Sequence, residues 1–513
     1  MKLVKVYLKN FRGYVNYTEI DFDNITTLVG ENDIGKSTIL EALDIFFNDN
    51  NGLIKIDKND INVTCKKDGD LKTVIGCIFS DLPQKLVIDS SVNTDLTSEY
   101  MVNKDGYLNI KKIYENGSSK CKVFIRAFHP TNPGCCDLLN KKQKELQTLI
   151  KNEGIACVDC TCNSIMRKAI WNHYLSDLKK DEIDIDITKG DTKGVWEQLK
   201  TYIPIYNLFQ ADRKNSDSDS EIQDPLKMAV KEVMNEPDII IKLNEIAKTV
   251  RERLEDVSKR TIDKLQDMNP SLSNELVPNI PETSSLKWTD VFKNVSISGE
   301  GGIPINKRGS GFKRLVLLSF FRAEAERKIQ SNNHASVIYA FEEPECSQHW
   351  DNQRILIESF NKLSCLNNVQ VILTTHSPDI VKHLKYESLR LISDNGCVKK
   401  CKNVEDCVLK YKSLNEINYI AFGMPSEGYH DELYSYIKLE NRFDDFKSGK
   451  PTLTYKRDIT RKGNVVESVQ TPILSQYIRN QIHHPENTKN VRYSNEQLKK
   501  SIEEMRKFIK NNM

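Results

Sequence analysis

Residues 30–38 read Gly-Glu-Asn-Asp-Ile-Gly-Lys-Ser-Thr, a G-x-x-x-x-G-K-[ST] stretch. Its chemistry is to grip a polyphosphate. Backbone N–H groups of a glycine-bearing loop, and of the helix start behind it, form an anion nest. The Lys36 ammonium reaches the outer phosphates and the Ser37 hydroxyl can ligate Mg²⁺. Two later stretches supply groups for phosphoryl transfer. Glu342 and Glu343 end the apolar run Val337–Phe341; one carboxylate can hold Mg²⁺ or its water, and the next can polarise the attacking water. His376 follows a second apolar run, Val369–Thr375. A further stretch, 307–314 (Lys-Arg-Gly-Ser-Gly-Phe-Lys-Arg), is a Gly/Ser turn before an apolar-rich helix at 315–326. It makes a second anion-ready helix N-terminus.

The elements that must position these residues are legible. Ile25–Val29 is an apolar strand leading into the loop, and Ile39–Leu43 continues it at helical spacing. Strand, loop and helix are the context the motif requires. Both carboxylates and His376 stand at strand ends, where open parallel sheets collect ligand groups. Residues 3–8 and 17–22 read as strands, with Asn10-Phe11-Arg12-Gly13 between them. Short alternating pieces over 72–126 predict an antiparallel layer beside the nucleotide core. A helical insertion is expected over about 135–200, and a strand at 203–209 followed by Gln210. A long helix is expected over about 225–270. In it Leu243, Ile246, Val250, Leu254, Val257, Leu265 and Met268 recur at helical spacing until Asn269-Pro270. Its length and broken heptads favour a helix packed on the domain over a dimerising coiled coil.

Composition sets outer bounds. The 513 residues carry a formal net charge of only +2, so no global field announces a nucleic-acid partner. No run approaches the ~18 apolar residues of a membrane span. With no leader pattern at residues 1–8, a cytoplasmic location is expected, and the 13 cysteines are expected as thiols. The cluster Cys135, Cys136, Cys157, Cys160 and Cys162 has spacing that permits a structural zinc site. The pairs are irregular and 136–150 reads as a plain helix, so buried or free thiols are the favoured reading.

The NFRG start, GENDIGKST, RGSGFKR, FEEPE and TTHSPD occur in this order. Together they resemble the ABC-type ATPase heads of the overcoming-lysogenization-defect and Septu A-subunit families of bacterial anti-phage ATPases. The resemblance covers about 1–60 and 200–395. It implies that Gly30, Asn32, Gly35, Lys36, Ser37 and Thr38, with Arg12, bind ATP and Mg²⁺. It implies that Glu342 takes the magnesium position with Ser37, that Glu343 is the general base and that His376 senses the γ-phosphate. Gly309, Ser310 and Gly311 would form the signature turn, capping ATP held by a partner head in a homodimer or higher oligomer. The chain departs from the pattern at Glu342, where Asp is common, and in lacking LSGGQ. Gln210 is the candidate for the magnesium-contacting glutamine. Relatives of the lysogenization type continue into a Toprim nuclease, but no Asp-x-Asp follows Asp394 here.

Residues 410–513 read as a helical effector domain instead, with a basic, turn-rich piece at 447–464. Arg479-Asn480 and His484 resemble the R-N-x-x-x-H motif of HEPN ribonucleases, which are metal-independent. Cleaving RNA through its 2′-OH calls for a His near neutrality and a cation on the phosphate. On an unbroken helix Arg479 and His484 would point ~140° apart, while His483 would share the Arg479 face. Pro485 pushes residue 484 out of the helix, so His484 is favoured on the family match and His483 is the second candidate. His430 and Glu432 are further candidates. The expected fold is thus an α/β P-loop ABC-type head over 1–409, with an antiparallel β layer and a helical insertion, followed by an all-α C-terminal bundle. The head is expected to control an endoribonuclease, with tRNA as the substrate the resemblance suggests. A Septu-like ATPase subunit regulating a separate HNH-type nuclease is the alternative, and a DNA-sensing repair-type ATPase the third.

Overall fold

The structure, a computed structural model, describes residues 1–83, 86–89, 92–188, 192–210, 233–234, 236–268, 336–346, 350–381, 383–394, 399–403, 407–411, 413–461 and 464–512. The signature turn expected at Gly309–Gly311 lies outside them. In chain order the main elements are β1 (Lys2–Lys9), β2 (Thr18–Asp21), β3 (Ile25–Val29), α1 (Lys36–Phe47), α2 (Val63–Lys67), β4 (Lys72–Ser80), β5 (Leu86–Asp89), β6 (Val92–Thr94), β7 (Leu108–Glu115) and β8 (Cys121–Pro130). Then come α3 (Gln143–Asn152), α4 (Asn163–His173), β9 (Lys180–Asp186), α5 (Thr192–Lys200), β10 (Ile205–Phe209), α6 (Pro237–Met268), β11 (Val337–Glu342), α7 (Trp350–Ser364), β12 (Val369–Thr375), α8 (Pro378–Val381), β13 (Leu389–Asp394) and β14 (Lys399–Asn403). The C-terminal region holds α9 (Leu414–Phe422), α10 (Glu427–Leu439), α11 (Phe443–Lys447), β15 (Tyr455–Arg461), β16 (Asn464–Gln470), α12 (Leu474–His483) and α13 (Asn495–Asn512).

Two six-stranded sheets carry the head. The first, in the order β2-β1-β4-β7-β8-β9, is antiparallel throughout. The second runs β10-β11-β12-β3-β13-β14, parallel except for the last pair. Their sequences differ as their environments do. Along β8 buried and less buried positions alternate, while Val369–Thr375 is buried at every position, as a parallel strand covered on both faces must be. Helix α1 touches β4 of the first sheet and β10 and β11 of the second. Its Ile39, Leu40, Leu43, Ile45 and Phe46 are at most 1% exposed, so the phosphate loop hangs from a deeply buried helix. At roughly 2 kcal/mol for each such side chain, this anchor resists movement of the loop base.

The expected helical insertion has α3 and α4 on a small core of their own, around Leu146, Met166 and Trp171. The acidic run at 181–186 lies in β9, the edge strand of the first sheet. Helix α6, in a separate compact unit, ends at Met268, ahead of Asn269-Pro270. Its Ile246, Val250, Leu254 and Val257 are 49–59% exposed, whereas Ala247 is 4% exposed. The C-terminal region is helical, with α10, α12 and α13 packed on one another around Leu433, Ile478, Ile502 and Met505. It also contains a two-stranded ribbon, β15–β16, where the sequence suggested basic turns. Three of those basic residues are paired: Lys447 with Asp444 (2.6 Å), Lys450 with Glu504 (3.0 Å) and Lys456 with Glu467 (3.8 Å).

Candidate nucleotide site and C-terminal cluster

The parallel register brings the expected chemistry to one edge. Glu342 stands opposite Thr374, and Thr375 opposite Val29. The carboxylates, His376 and the phosphate loop therefore leave adjacent strands about 4.8 Å apart. Gln210 leaves the same edge one strand further, after Phe209 pairs with Phe341. Gly35, the residue before α1, has φ 104°, a backbone setting that favours glycine. A Cβ at Gly30 would lie 2.8 Å from the Ile392 carbonyl oxygen.

Lys36 is 3% exposed. Its Nζ donates to the carbonyls of Gly30 (2.9 Å) and Glu31 (2.7 Å). Burial lowers its pKa, opposed by the fields of Glu343, Glu345, Asp33 and Glu342. Arg12, expected at the nucleotide, donates Nε to Asp60 (2.7 Å) and Nη1 to Glu41 of α1, so it braces the helix behind the loop. Asn32 is exposed on the loop, and Ser37 and Thr38 are half-buried at the helix start.

Glu343 has φ 41°, a left-handed setting that costs a non-glycine residue on the order of 1 kcal/mol or more. Its N–H, bonded to the carbonyl and hydroxyl oxygens of Thr374 (both 3.1 Å), holds it there. The result aims the carboxylate at His376, whose Nδ1 lies 3.0 Å from Glu343 Oε1. The separation is that of an ion pair, without the alignment of a hydrogen bond. Sequence reasoning missed Glu345, 5% exposed beside this pair. Its Oε1 accepts from the Thr375 hydroxyl, and among the described residues its Oε2 has no hydrogen-bond partner. Burial raises its pKa, with the Thr375 bond opposing. Only the spacing Glu-Glu-Pro-Glu hinted at a third acid.

The C-terminal candidates divide. Helix α12 ends at His483, and His484 leaves it at φ −129°, ψ 63°, as Pro485 requires. His484 Nδ1 then meets Glu486 (3.2 Å) on its own turn. Arg479 is joined instead to His483, through Asp431 of α10. His483 Nε2 is hydrogen-bonded to Asp431 Oδ1 (2.8 Å), and Arg479 Nε lies 3.4 Å from the same oxygen. The Arg479 guanidinium also sits over the Tyr434 ring (4.9 Å). Asn480 offers its carbonyl to Tyr455 Oη (3.5 Å). His430 is fully buried on Ser501 (2.9 Å), and Glu432 accepts from Ser413 (2.7 Å) and Asn415 (3.1 Å). Asp431 was invisible to spacing, since it lies on another helix.

Cys157 is bonded to the Asp159 carbonyl oxygen (3.4 Å) and Cys162 to Ser164 (3.2 Å). Among the described residues no three His, Cys, Asp or Glu side chains converge as metal ligands.

A family model described as AAA ATPase domain matches residues 1–381. The chain belongs to that family. Beyond this AAA ATPase domain, the chain is similar to Endonuclease GajA of Bacillus cereus (strain HuB5-5), with 24% identity over 410 residues. That match covers 74% of this chain and 56% of the relative, so the chain spans about half the length of the curated relative it matches. Similar solved structures include the SMC head bound to the C-terminal winged-helix domain of ScpA, with 13% identity and TM-score 0.39. It covers 79% of this chain and 98% of that one. The SMC head domain from Thermotoga maritima has 12% identity and TM-score 0.33, covering 79% and 100%. The AAA ATPase domain is an α/β head, followed by a largely helical C-terminal region. No described helix is long and apolar enough to cross a membrane.

The residues of this AAA ATPase domain fit ATP with Mg²⁺. Gly35 adopts the left-handed turn the loop needs, and Lys36 is a buried cation whose hydrogen bonds among the described residues go to the Gly30 and Glu31 carbonyls. Ser37 and Glu342 are hard oxygen donors of the kind Mg²⁺ takes. Bound there, the metal would neutralise charge on the phosphates. The chain's own part is to orient the phosphates with loop N–H groups and Lys36, and to hold a carboxylate and an imidazole together at the sheet edge.

Proposed function

We propose that this chain is an ATP-driven switch of anti-phage defence whose head binds and hydrolyses Mg·ATP and thereby licenses a nuclease. Ser37 and Glu342 hold the metal, Glu343 takes the proton of the attacking water, and His376 senses the γ-phosphate. Arg12 steadies the loop, and Gly309–Gly311 of a second copy cap the nucleotide in a head-to-head oligomer. The half-exposed apolar stripe on α6 supports such association.

One observation carries the control step. Helix α9, the first of the C-terminal region, packs against α8, which follows His376. Its C-terminal Gly423 comes up to the phosphate loop: a Cβ there would stand 3.8 Å from Glu31 Oε1. The buried Glu416 of α9 then accepts from Tyr429 of α10 (3.0 Å) and Arg506 of α13 (2.9 Å). A shift at either nucleotide-sensing element has a packed route into the bundle.

In the first form of this reading the C-terminal region is itself a metal-independent endoribonuclease acting on RNA, tRNA included. Arg479 binds phosphate and a histidine moves the proton: His484 by the motif, His483 by its pairing with Asp431. In the second form the region docks a separate nuclease subunit. What favours that form is that Asp431 already stands against both side chains, hydrogen-bonded to His483 and within ion-pair distance of Arg479. RNA from cells producing the wild type, sequenced for 2′,3′-cyclic ends, separates the two. Discrete cuts that vanish in Arg479→Ala with His483→Ala or His484→Ala support the first form. Intact RNA under conditions of demonstrated ATP turnover and phage protection overturns it in favour of a partner nuclease.

A further inference from the structure

Gly13, in the turn between β1 and β2, has no role in the site as described. Its φ is not among the positive ones, so the position does not demand glycine for its backbone. The demand is for space. A Cβ on Gly13 would lie 2.4 Å from Cε and 2.7 Å from Nζ of Lys399. Lys399 opens β14, the antiparallel edge strand of the nucleotide sheet, more than 360 residues away in the chain. Its side chain runs past Gly13 to the phosphate loop. There Nζ donates to the Asp33 carbonyl (3.4 Å) and would stand 2.9 Å from a Cβ on Gly35. The Tyr14 ring lies below the ammonium (6.0 Å), and the Tyr14 hydroxyl donates to the Gly35 carbonyl (3.0 Å). The Lys399 carbonyl accepts from Thr18 of β2 (3.2 Å), which pins the strand end from the first sheet.

We infer that Lys399 is a positioning residue of the ATP site, a strap from β14 that fixes residues 33–35 of the phosphate loop and adds a second positive charge beside the triphosphate cradle. Two observations point this way. Gly13, whose backbone does not demand glycine, leaves room for the end of the lysine side chain to pass. Its polar partner is a loop carbonyl, and among the described residues no carboxylate lies within ion-pair distance, so its charge stays available to an anion. The loop amides depend on the backbone of 33–35 for their aim, and the strap reaches that backbone at the Asp33 carbonyl.

The inference rests on reading the phosphate loop as an ATP site, and the test keeps the two apart. Affinity for Mg·ATP is measured on the full chain by competition with a fluorescent ATP analogue, beside KM and kcat for ATP hydrolysis. Lys399→Met keeps the packing and loses the charge; it is expected to weaken binding and raise KM about tenfold, the scale of one charge-assisted hydrogen bond, with kcat within about twofold. Gly13→Ala, which displaces the lysine without removing it, is expected to do the same, and the double variant to be no worse than either single one. Thermal midpoints are read alongside. Lys399→Met that binds ATP like the wild type overturns the inference, as does a Gly13→Ala variant that folds and binds normally. If Lys36→Ala also binds like the wild type, the ATP-site reading itself has failed.

Discussion

The sheet edge of the head and the C-terminal cluster are built from the same residue types with opposite outcomes. At the edge, charges are held short of satisfaction. Lys36 is buried against carbonyls while carboxylates surround it, Glu343 is kept in a strained setting beside His376, and among the described residues Glu345 Oε2 has no hydrogen-bond partner. In the bundle, most charges close on one another, although Arg479 Nε and His430 Nδ1 make no hydrogen bond among the described residues. Glu416 is fully buried yet accepts from Val408 N (2.6 Å), Leu409 N (3.3 Å), Tyr429 Oη (3.0 Å) and Arg506 Nη1 (2.9 Å), and Asp431 takes both His483 and Arg479. Leaving buried polar groups unmet costs stability. A site that carries this cost is prepared for a ligand, whereas a closed network identifies first of all what holds a domain together.

The comparison can be broken in several ways. Its largest expected effect is at Glu416→Ala, which removes a fully buried carboxylate that accepts from Val408 N, Leu409 N, Tyr429 and Arg506. Loss of about 3–5 kcal/mol of stability is expected in denaturant unfolding of the full chain, and a loss below about 1 kcal/mol would show that the network is not structural. Next is the titration of His430. Burial lowers its pKa to about 4, with Asp431 opposing, Arg479 adding to the shift, and Glu427 opposing. A histidine depressed in the fold binds its proton more readily when unfolded. Stability is therefore fully present above about pH 6.5 and is lost as pH falls towards 4, by about 3 kcal/mol. A His430→Asn variant should flatten that part of the pH profile; an unchanged slope would place the acid sensitivity elsewhere.

At the other region, Glu343→Gln is expected to lower ATP turnover about 100-fold, the scale of general-base removal, with little change in the thermal midpoint. Phosphate release by the purified chain reads this directly, and turnover within a few-fold of wild type would move the base role to Glu345 or His376. Smallest is Asp431→Asn. The pairs it breaks are about one-third exposed, so stability should change by no more than about 1 kcal/mol. ATP turnover should stay within about twofold. A large change in RNA cleavage by this variant would turn the cluster from a closed network into a working site.

Each local motif was legible because it depends on near neighbours. A strand, a glycine turn and a helix start follow from residues 25–43, and the strand ends at Glu342 and His376 follow from apolar runs beside them. The same locality explains the exit of His484 from its helix ahead of Pro485. What joined the motifs was decided by pairing across the chain. Parallel registry set Glu342, Thr375 and Val29 side by side, and an antiparallel edge strand brought Lys399 over Gly13 and Gly35. Helix packing gave Asp431 to His483 and Arg479 rather than leaving them to His484. Spacing along a chain reports which side chains share a face of one element; it carries no information on which face of a distant element lies opposite. Sequence alone therefore determined that this protein has a phosphate-gripping loop and strand-end acids. Only the tertiary structure decided which charges are satisfied and which are held open, because burial and partnership are properties of the assembled core.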